Sequence, residues 1–342
     1  MQISTIGLDI AKNVFQVHCV DAAGQTVLTR QLRRGQVIAF FKKHPPCLVG
    51  MEACATAHHW AREISALGHT VKLMPASYVK AYVKRNKNDA ADAAATCEAV
   101  SRPSMRFVPT KTVEQQATLM LHRARDLLIR QRTQTINALR AHLAELCMVA
   151  ATGVDGVKTL INIVTGEPGE RLLPAPMKQA LRALIAQLYS LQEQINQLEC
   201  DIRNAHRGSD VARRLETIPG VGVLGATAIA ATVADASVFR SGREFAAWIG
   251  LVPRQNSTGG KERLGGISKQ GDRYLRRLMI VGAMAVIKQA RSHPDKNPWL
   301  SKLLATKPTK VAAVALANKT ARIAWAIMQH GGTYQRPTQA AA

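Results

Sequence analysis

An α/β domain followed by mainly helical domains is the architecture this sequence predicts, and three observations predict it. Short β-like and helical runs alternate over the first 110 residues. Helical apolar spacing takes over after residue 113. Hydrophobic residues make up 47% of the 342 positions but aromatics only 4%, so the core must come from Ala, Val, Leu and Ile, which suits helices. A chain this long is expected to form more than one domain.

Residues 3–10, 14–20 and 26–32 read as strands joined by turns at Ala11-Lys12-Asn13 and Ala23-Gly24. A helical pattern through Val37, Phe40 and Phe41 follows, then a buried strand at 47–51, a helix at about 57–67 and a strand at 70–74. Ser77 is placed to cap a helix carrying Lys80, Lys84 and Arg85, and Asn88-Asp89 starts an alanine-rich helix. The order is βββαβαβα, and this first domain spans residues 1–110.

Residues 111–210 read as a helical connector. From 113 to 149, Leu121, Ala124, Leu128, Ile136, Leu139, Leu143 and Leu146 recur at helical spacing among many arginines. A Gly- and Pro-containing interval, 153–176, separates this helix from another in which Leu184, Leu188, Leu191, Ile195, Leu198 and Ile202 form a coiled-coil seam. That seam serves equally well within one chain or between protomers. Residues 211–295 form a third, mostly helical module, and 296–342 a last helix and polar tail.

Lys and Arg total 46 against 23 Asp and Glu, a net charge of +23, well beyond the ~2–8 that solubility calls for. The excess runs along the whole chain, which points to nucleic acid lying across several domains rather than to a membrane surface. The six cysteines form no CxxC pair and no zinc spacing, and are expected to be reduced and mostly buried. No secretory signal is visible, and the apolar stretch 311–328 is broken by Asn318, Lys319 and Arg322, so a cytoplasmic, nucleoid-associated protein without a membrane span is expected.

In this topology Asp9 lies on the first strand and Glu52 at the carboxyl end of the fourth, neighbours at the centre of a ribonuclease-H-like sheet. Asp89 and Asp92 are three apart and share one helix face. Four converging carboxylates repel unless cations neutralise them, and an all-oxygen donor set favours Mg²⁺ or Mn²⁺, which can activate an attacking oxygen and stabilise a leaving one. The alternative for each acid alone is a turn, an ion pair or a helix-start residue. Lys12, Lys84, Arg85 and Lys87 stand nearby in sequence as phosphate ligands.

Ile218-Pro219-Gly220-Val221-Gly222, followed by an Ala-rich helical run, reads as the hairpin of a helix-hairpin-helix. The backbone N–H groups around Gly220 and Gly222 suit a DNA phosphate, with a plain interhelical turn as the alternative. Beyond it, a glycine-rich stretch holds nine basic residues, Arg240, Arg243, Arg254, Lys261, Arg263, Lys269, Arg273, Arg276 and Arg277. They stand against Glu244, Glu262 and Asp272, a local excess of six. Arginines there would hold phosphates and offset developing charge. Ser257 and Thr258 both qualify as hydroxyl nucleophiles, although such residues more often form turns.

Gly7-Leu8-Asp9-Ile10-Ala11-Lys12, Met51-Glu52-Ala53 and Asn86-Lys87-Asn88-Asp89-Ala90-Ala91-Asp92-Ala93, with the C-terminal signature, resemble the DEDD-type transposases of bacterial insertion sequences. The resemblance is to the insertion-sequence 110 family, 1111 subgroup, over residues 3–290. It implies a RuvC-like first domain, metal binding by Asp9, Glu52, Asp89 and Asp92, and a nucleophilic serine in the glycine-rich loop. Thr258 directly precedes Gly259. Ser257 is favoured because a primary alcohol meets less hindrance at phosphorus, and Thr258 is the alternative. The resemblance further implies a dimer or tetramer held by coiled coils, with the acids of one subunit facing the serine of another, and a structured noncoding bridge RNA that pairs with donor and target DNA. The expected function is thus a site-specific recombinase that mobilises its own element through a serine–DNA ester. A water-using junction endonuclease and a non-catalytic DNA-binding protein are the alternatives.

Overall fold

The computed structural model describes residues 2–83 and 88–335. The chain divides into two compact units, Met1–Val113 with Ala234–Val238, and Glu114–Val233 with Phe239–Ala342.

The first unit is built on strands β1 (Thr5–Ile10), β2 (Val14–Val20) and β3 (Thr26–Arg33), helix α1 (Val37–Lys42), strand β4 (Leu48–Glu52), helix α2 (Ala57–Ser65), strand β5 (Thr70–Met74), and helices α3 (Ala76–Val79) and α4 (Asp89–Val100). The sheet order is β3-β2-β1-β4-β5. The meander β1–β3 is antiparallel, while β4 runs parallel to β1 and β5 parallel to β4.

Strand alternation decides what each face meets. Ile6, Leu8, Val49 and Met51 are fully buried in a core with Phe41, Trp60 and Ile64 of α1 and α2. Removing each such side chain from water contributes about 2 kcal/mol. The opposite face carries Gly7 and Gly50, which are register partners on β1 and β4. A Cβ at Gly7 would lie 2.1 Å from the Ala93 carbonyl oxygen, and one at Gly50 would lie 2.7 Å from the Val100 Cβ. These two glycines therefore seat α4 directly on the central strands.

The second unit is helical: α5 (Val113–Ala144), α6 (Val154–Thr165), α7 (Glu167–Leu172), α8 (Ala175–Arg207), α9 (Asp210–Glu216), α10 (Val223–Thr232), α11 (Gly242–Ile249), a hairpin of β6 (Pro253–Gln255) and β7 (Leu264–Ile267), then α12 (Arg273–Ser292), α13 (Pro298–Thr306) and α14 (Thr309–His330). Helices α5 and α8 run antiparallel. Arg125 donates to Glu199 at 2.5 Å and Arg132 to Gln192 at 2.6 Å, so rising numbers on one helix meet falling numbers on the other. The buried stripe of α8 is Leu181, Ile185, Leu188, Leu191, Ile195 and Ile202. Leu184 and Leu198, expected in the seam, are only half-buried.

Three further expectations are corrected. Ser77 does not cap a helix, because α3 already begins at Ala76 after the extended Pro75 and ends at Val79. The interval 153–176 is largely helical. Leu160, Ile161 and Val164 bury the apolar stripe of α6 against Leu139, Leu143, Leu181 and Ile185, a periodicity that flanking Gly and Pro had masked. All six cysteines are free, but only Cys19, Cys47 and Cys97 are buried, while Cys54, Cys147 and Cys200 are exposed.

Helix α14 is long and apolar enough to cross a membrane by length and composition alone. It nevertheless packs on α9, α11, α12 and α13, burying Ala312, Ala313, Leu316, Ala317, Thr320, Ala321, Ala324 and Ile327.

Candidate active site and nucleic-acid interface

Asp9 shares its strand face with Gly7, and Glu52 shares its face with Gly50, so both acids stand on the side where α4 lies. The helix starts beside them. Asn88 caps it, its side chain accepting from the Ala91 N–H at 2.8 Å, and Asp89 and Asp92 occupy the first turn. Burial, and then the charges of Asp92, Asp89 and Glu52, push the Asp9 carboxyl up from 3.8 to about 6. Asp92, Asp89 and Glu52 thus all act electrostatically on Asp9 at one end of the sheet. Their donor chemistry fits a hard divalent cation, which would relieve that repulsion. Among the described residues, however, no three His, Cys, Asp or Glu side chains are gathered closely enough to form a metal-holding group. Lys12 is exposed in the turn after β1, where its carbonyl accepts from Arg34. Lys84, Arg85 and Lys87 lie outside the described residues.

The serine candidate sits on the β6–β7 hairpin. Thr258 and Lys261 pair across its tip, and Gly259 and Gly260 both have positive φ, +54° and +75°, as a tight two-residue turn demands. The Ser257 Oγ accepts from the Arg263 backbone N–H at 3.2 Å and from the Gln255 side-chain amide at 3.3 Å. In both bonds the hydroxyl oxygen is the acceptor. Thr258 contributes backbone N–H and C=O to its pairing with Lys261. Arg254, Lys261, Arg263, Lys269 and Arg273 are exposed around or after the hairpin.

Two basic residues and one glycine have other work. Arg276 is buried, donating to the carbonyl oxygens of Ile249 and Gln270, both at 2.7 Å, so it closes the base of the loop and is not open to DNA. Arg277 is engaged by Asp126 and stacks over Tyr274. Gly220, in the turn between α9 and α10, has a positive φ, and its close approach is to the backbone of Gly282 on α12. Gly222 faces open space at the start of α10, where no side chain caps the helix.

Nothing in the sequence singles out His122. It is buried on α5 and bonded to the Tyr274 hydroxyl of α12 at 2.9 Å and to Thr227 of α10 at 3.0 Å. It thus ties the helix after the glycine turn to the helix after the serine hairpin. Burial, with Arg125 adding to it, pushes its imidazole down from 6.5 to about 4. The native state therefore binds fewer protons than the unfolded chain between those values, and the stability His122 gives at pH 7 is lost as pH falls from about 6.5 to about 4. Melting curves of the His122→Gln variant are expected to show a shallower loss across that window. An unchanged slope would show that this imidazole does not carry the effect.

Comparison with known proteins gives the family of the chain. Residues 6–148 match the family model DEDD_Tnp_IS110, described as "Transposase", and residues 212–299 match "Transposase IS116/IS110/IS902 family". A Pseudomonas aeruginosa protein named "Probable family 20 transposase" is 50% identical over 338 residues, covering 98% of this chain and 99% of the relative. "Transposase for insertion sequence element IS1328" of Yersinia enterocolitica is 41% identical, covering 98% of this chain and 99% of that protein. "Transposase for insertion sequence element IS1111A" of Coxiella burnetii is 40% identical, with 97% and 92% covered. With both units matched and full-length identity at this level, the chain belongs to the IS110/IS1111 family of insertion-sequence transposases and is a DNA transposase.

Proposed function

We propose that the protein cleaves and rejoins DNA at the ends of its insertion sequence through a covalent serine–DNA ester, using Mg²⁺ or Mn²⁺ bound by Asp9, Glu52, Asp89 and Asp92. The observation that carries this reading is the placing of Asp9 and Glu52 on the sheet face where α4 begins, where burial first and then the charges of Asp92, Asp89 and Glu52 push the Asp9 carboxyl up to about 6. A bound divalent cation supplies Lewis-acid stabilisation of charge on a phosphodiester. The sheet order, with parallel β4 and β5 beside an antiparallel meander, supports a RuvC-like first domain.

Ser257 Oγ attacks phosphorus, a P–O bond forms, and the bond to the leaving strand oxygen breaks with return of a proton to that oxygen. Attack by the freed strand end on the ester restores the serine, so rejoining needs no ATP. Lys12 and the exposed Arg254, Lys261, Arg263, Lys269 and Arg273 hold phosphates. The uncapped N-terminus of α10 at Gly222 holds another, in helix-hairpin-helix fashion. The α5–α8 pair serves as a coiled-coil element that joins protomers into a dimer or tetramer, so that the acids of one subunit work with the serine of another. A noncoding bridge RNA guides target choice, and the protein acts in the cytoplasm on nucleoid DNA.

Strand cleavage of DNA carrying the element ends, assayed with copurifying RNA present, is expected to require Mg²⁺ or Mn²⁺, to stop with EDTA, and to be lost in the Asp92→Asn variant. Cleavage that persists in EDTA or in that variant sinks the metal-site reading.

A further inference from the structure

A cleft of about 280 Å³ opens in the second unit where the turn before α10 meets the end of α12, the start of α13 and α14. Its walls include Gln289, His293, Lys296, Trp299, Lys319 and Tyr334. Trp299 is 41% exposed, and the Lys319 ammonium lies 4.3 Å from its ring centroid. Trp299 stands in the first turn of α13, which Asn297 caps by accepting from the Leu300 N–H at 3.2 Å. Tyr334 of the lining is also held, since its backbone N–H donates to the Thr217 hydroxyl at 2.8 Å. Among the described residues, no Asp or Glu lines the cleft. Asp295 belongs to the same short turn as Lys296 but is not part of the wall.

An aromatic platform beside two lysines, with no carboxylate among the described lining residues, is the chemistry with which proteins grip single-stranded nucleic acid. The volume lies just below the roughly 300–1,000 Å³ of drug-sized ligand sites, which suits a single nucleotide unit. A duplex keeps its base faces stacked and cannot offer one to Trp299.

We propose that this cleft takes one unstacked nucleotide of a single strand, RNA or DNA, with its base against Trp299 and Tyr334 and its phosphate on Lys296 and Lys319. The inference extends the reading of the chain as a nucleic-acid enzyme to a site that the cleavage chemistry does not use.

The test measures binding of fluorescein-labelled oligo(U), oligo(dT) and an element-end duplex to the full chain. Trp299→Ala is expected to weaken oligonucleotide binding about tenfold, with Trp299→Phe retaining most of it and duplex binding unchanged. Loss with oligo(U) alone or oligo(dT) alone would assign the strand to RNA or DNA. Unchanged oligonucleotide binding in Trp299→Ala, or an equal loss for duplex, overturns the proposal. Should Trp299→Ala melt early, photocrosslinking of the unsubstituted protein with 5-iodouracil oligonucleotides decides the matter. Adducts at Trp299 or Tyr334 support the site, and adducts found only elsewhere overturn it. Cleavage of element ends is scored separately, so a failed cleavage assay leaves the crosslink result standing.

Discussion

Asp9→Asn is expected to raise the melting temperature of the N-terminal unit at pH 7.5 without divalent ions, while slowing strand cleavage at least about a thousandfold. Both effects come from the same charge. With its carboxyl raised from 3.8 to about 6, native Asp9 holds a proton more tightly than the unfolded chain does. The native state binds more protons between those values, so stability falls as pH rises from about 4 to about 6 and stays lower above. Asparagine removes that penalty, so the advantage of the variant should grow across this window and level off beyond it. The activity loss follows because metal-held charge stabilisation is worth several kcal/mol, and each ~1.4 kcal/mol is a factor of ten in rate. Mg²⁺ should also raise the melting temperature of the unsubstituted protein more than that of the variant. A variant that melts lower than the parent at pH 7.5 would show that Asp9 is a structural residue and not part of a strained acidic group.

Gly7→Ala is expected to cost the N-terminal unit about 3 kcal/mol, at the upper end of overpacking effects, because the new methyl meets backbone rather than a flexible side chain. It would lie 2.1 Å from the Ala93 carbonyl oxygen and 2.5 Å from the Cys97 nitrogen, so α4 must move off the sheet. That helix carries Asp89 and Asp92, and a displacement of about 1 Å is enough for roughly a hundredfold loss of rate. Gly35→Ala, where an added Cβ meets nothing within 4 Å, is the matched control and should leave melting and cleavage unchanged. Equal behaviour of the two variants would refute the role given to close helix–sheet approach.

Much of this was legible in the sequence because the controlling patterns are local. Strands β2 and β5 run where the alternation of Val14–Val20 and Thr70–Met74 places them, and the acids fall at the end of β1, the end of β4 and the first turn of α4. What the sequence hid depends on distant packing. Gly7 and Gly50 look like weak points in strands until their register pairing shows them to be the bed of α4. An isolated glycine inside a strand was the available signal of close backbone approach. Arg276 reads as one more DNA-facing cation, yet two carbonyls separated from each other in sequence take its guanidinium. His122 reads as an ordinary helix histidine, because its partners Thr227 and Tyr274 lie more than a hundred residues away. The Gly and Pro of residues 153–176 obscure a helix there, although the apolar spacing of Leu160, Ile161 and Val164 is helical.

The most direct test of the account is to incubate the protein with element-end DNA, copurifying RNA and Mg²⁺, denature it, and map any protein–DNA adduct by mass spectrometry. A phosphodiester remnant on Ser257 is expected, absent with EDTA and absent in the Asp9→Asn variant. Efficient cleavage with no adduct would mean that water is the nucleophile, and an adduct mapped to Thr258 or to another residue would contradict the place given to Ser257.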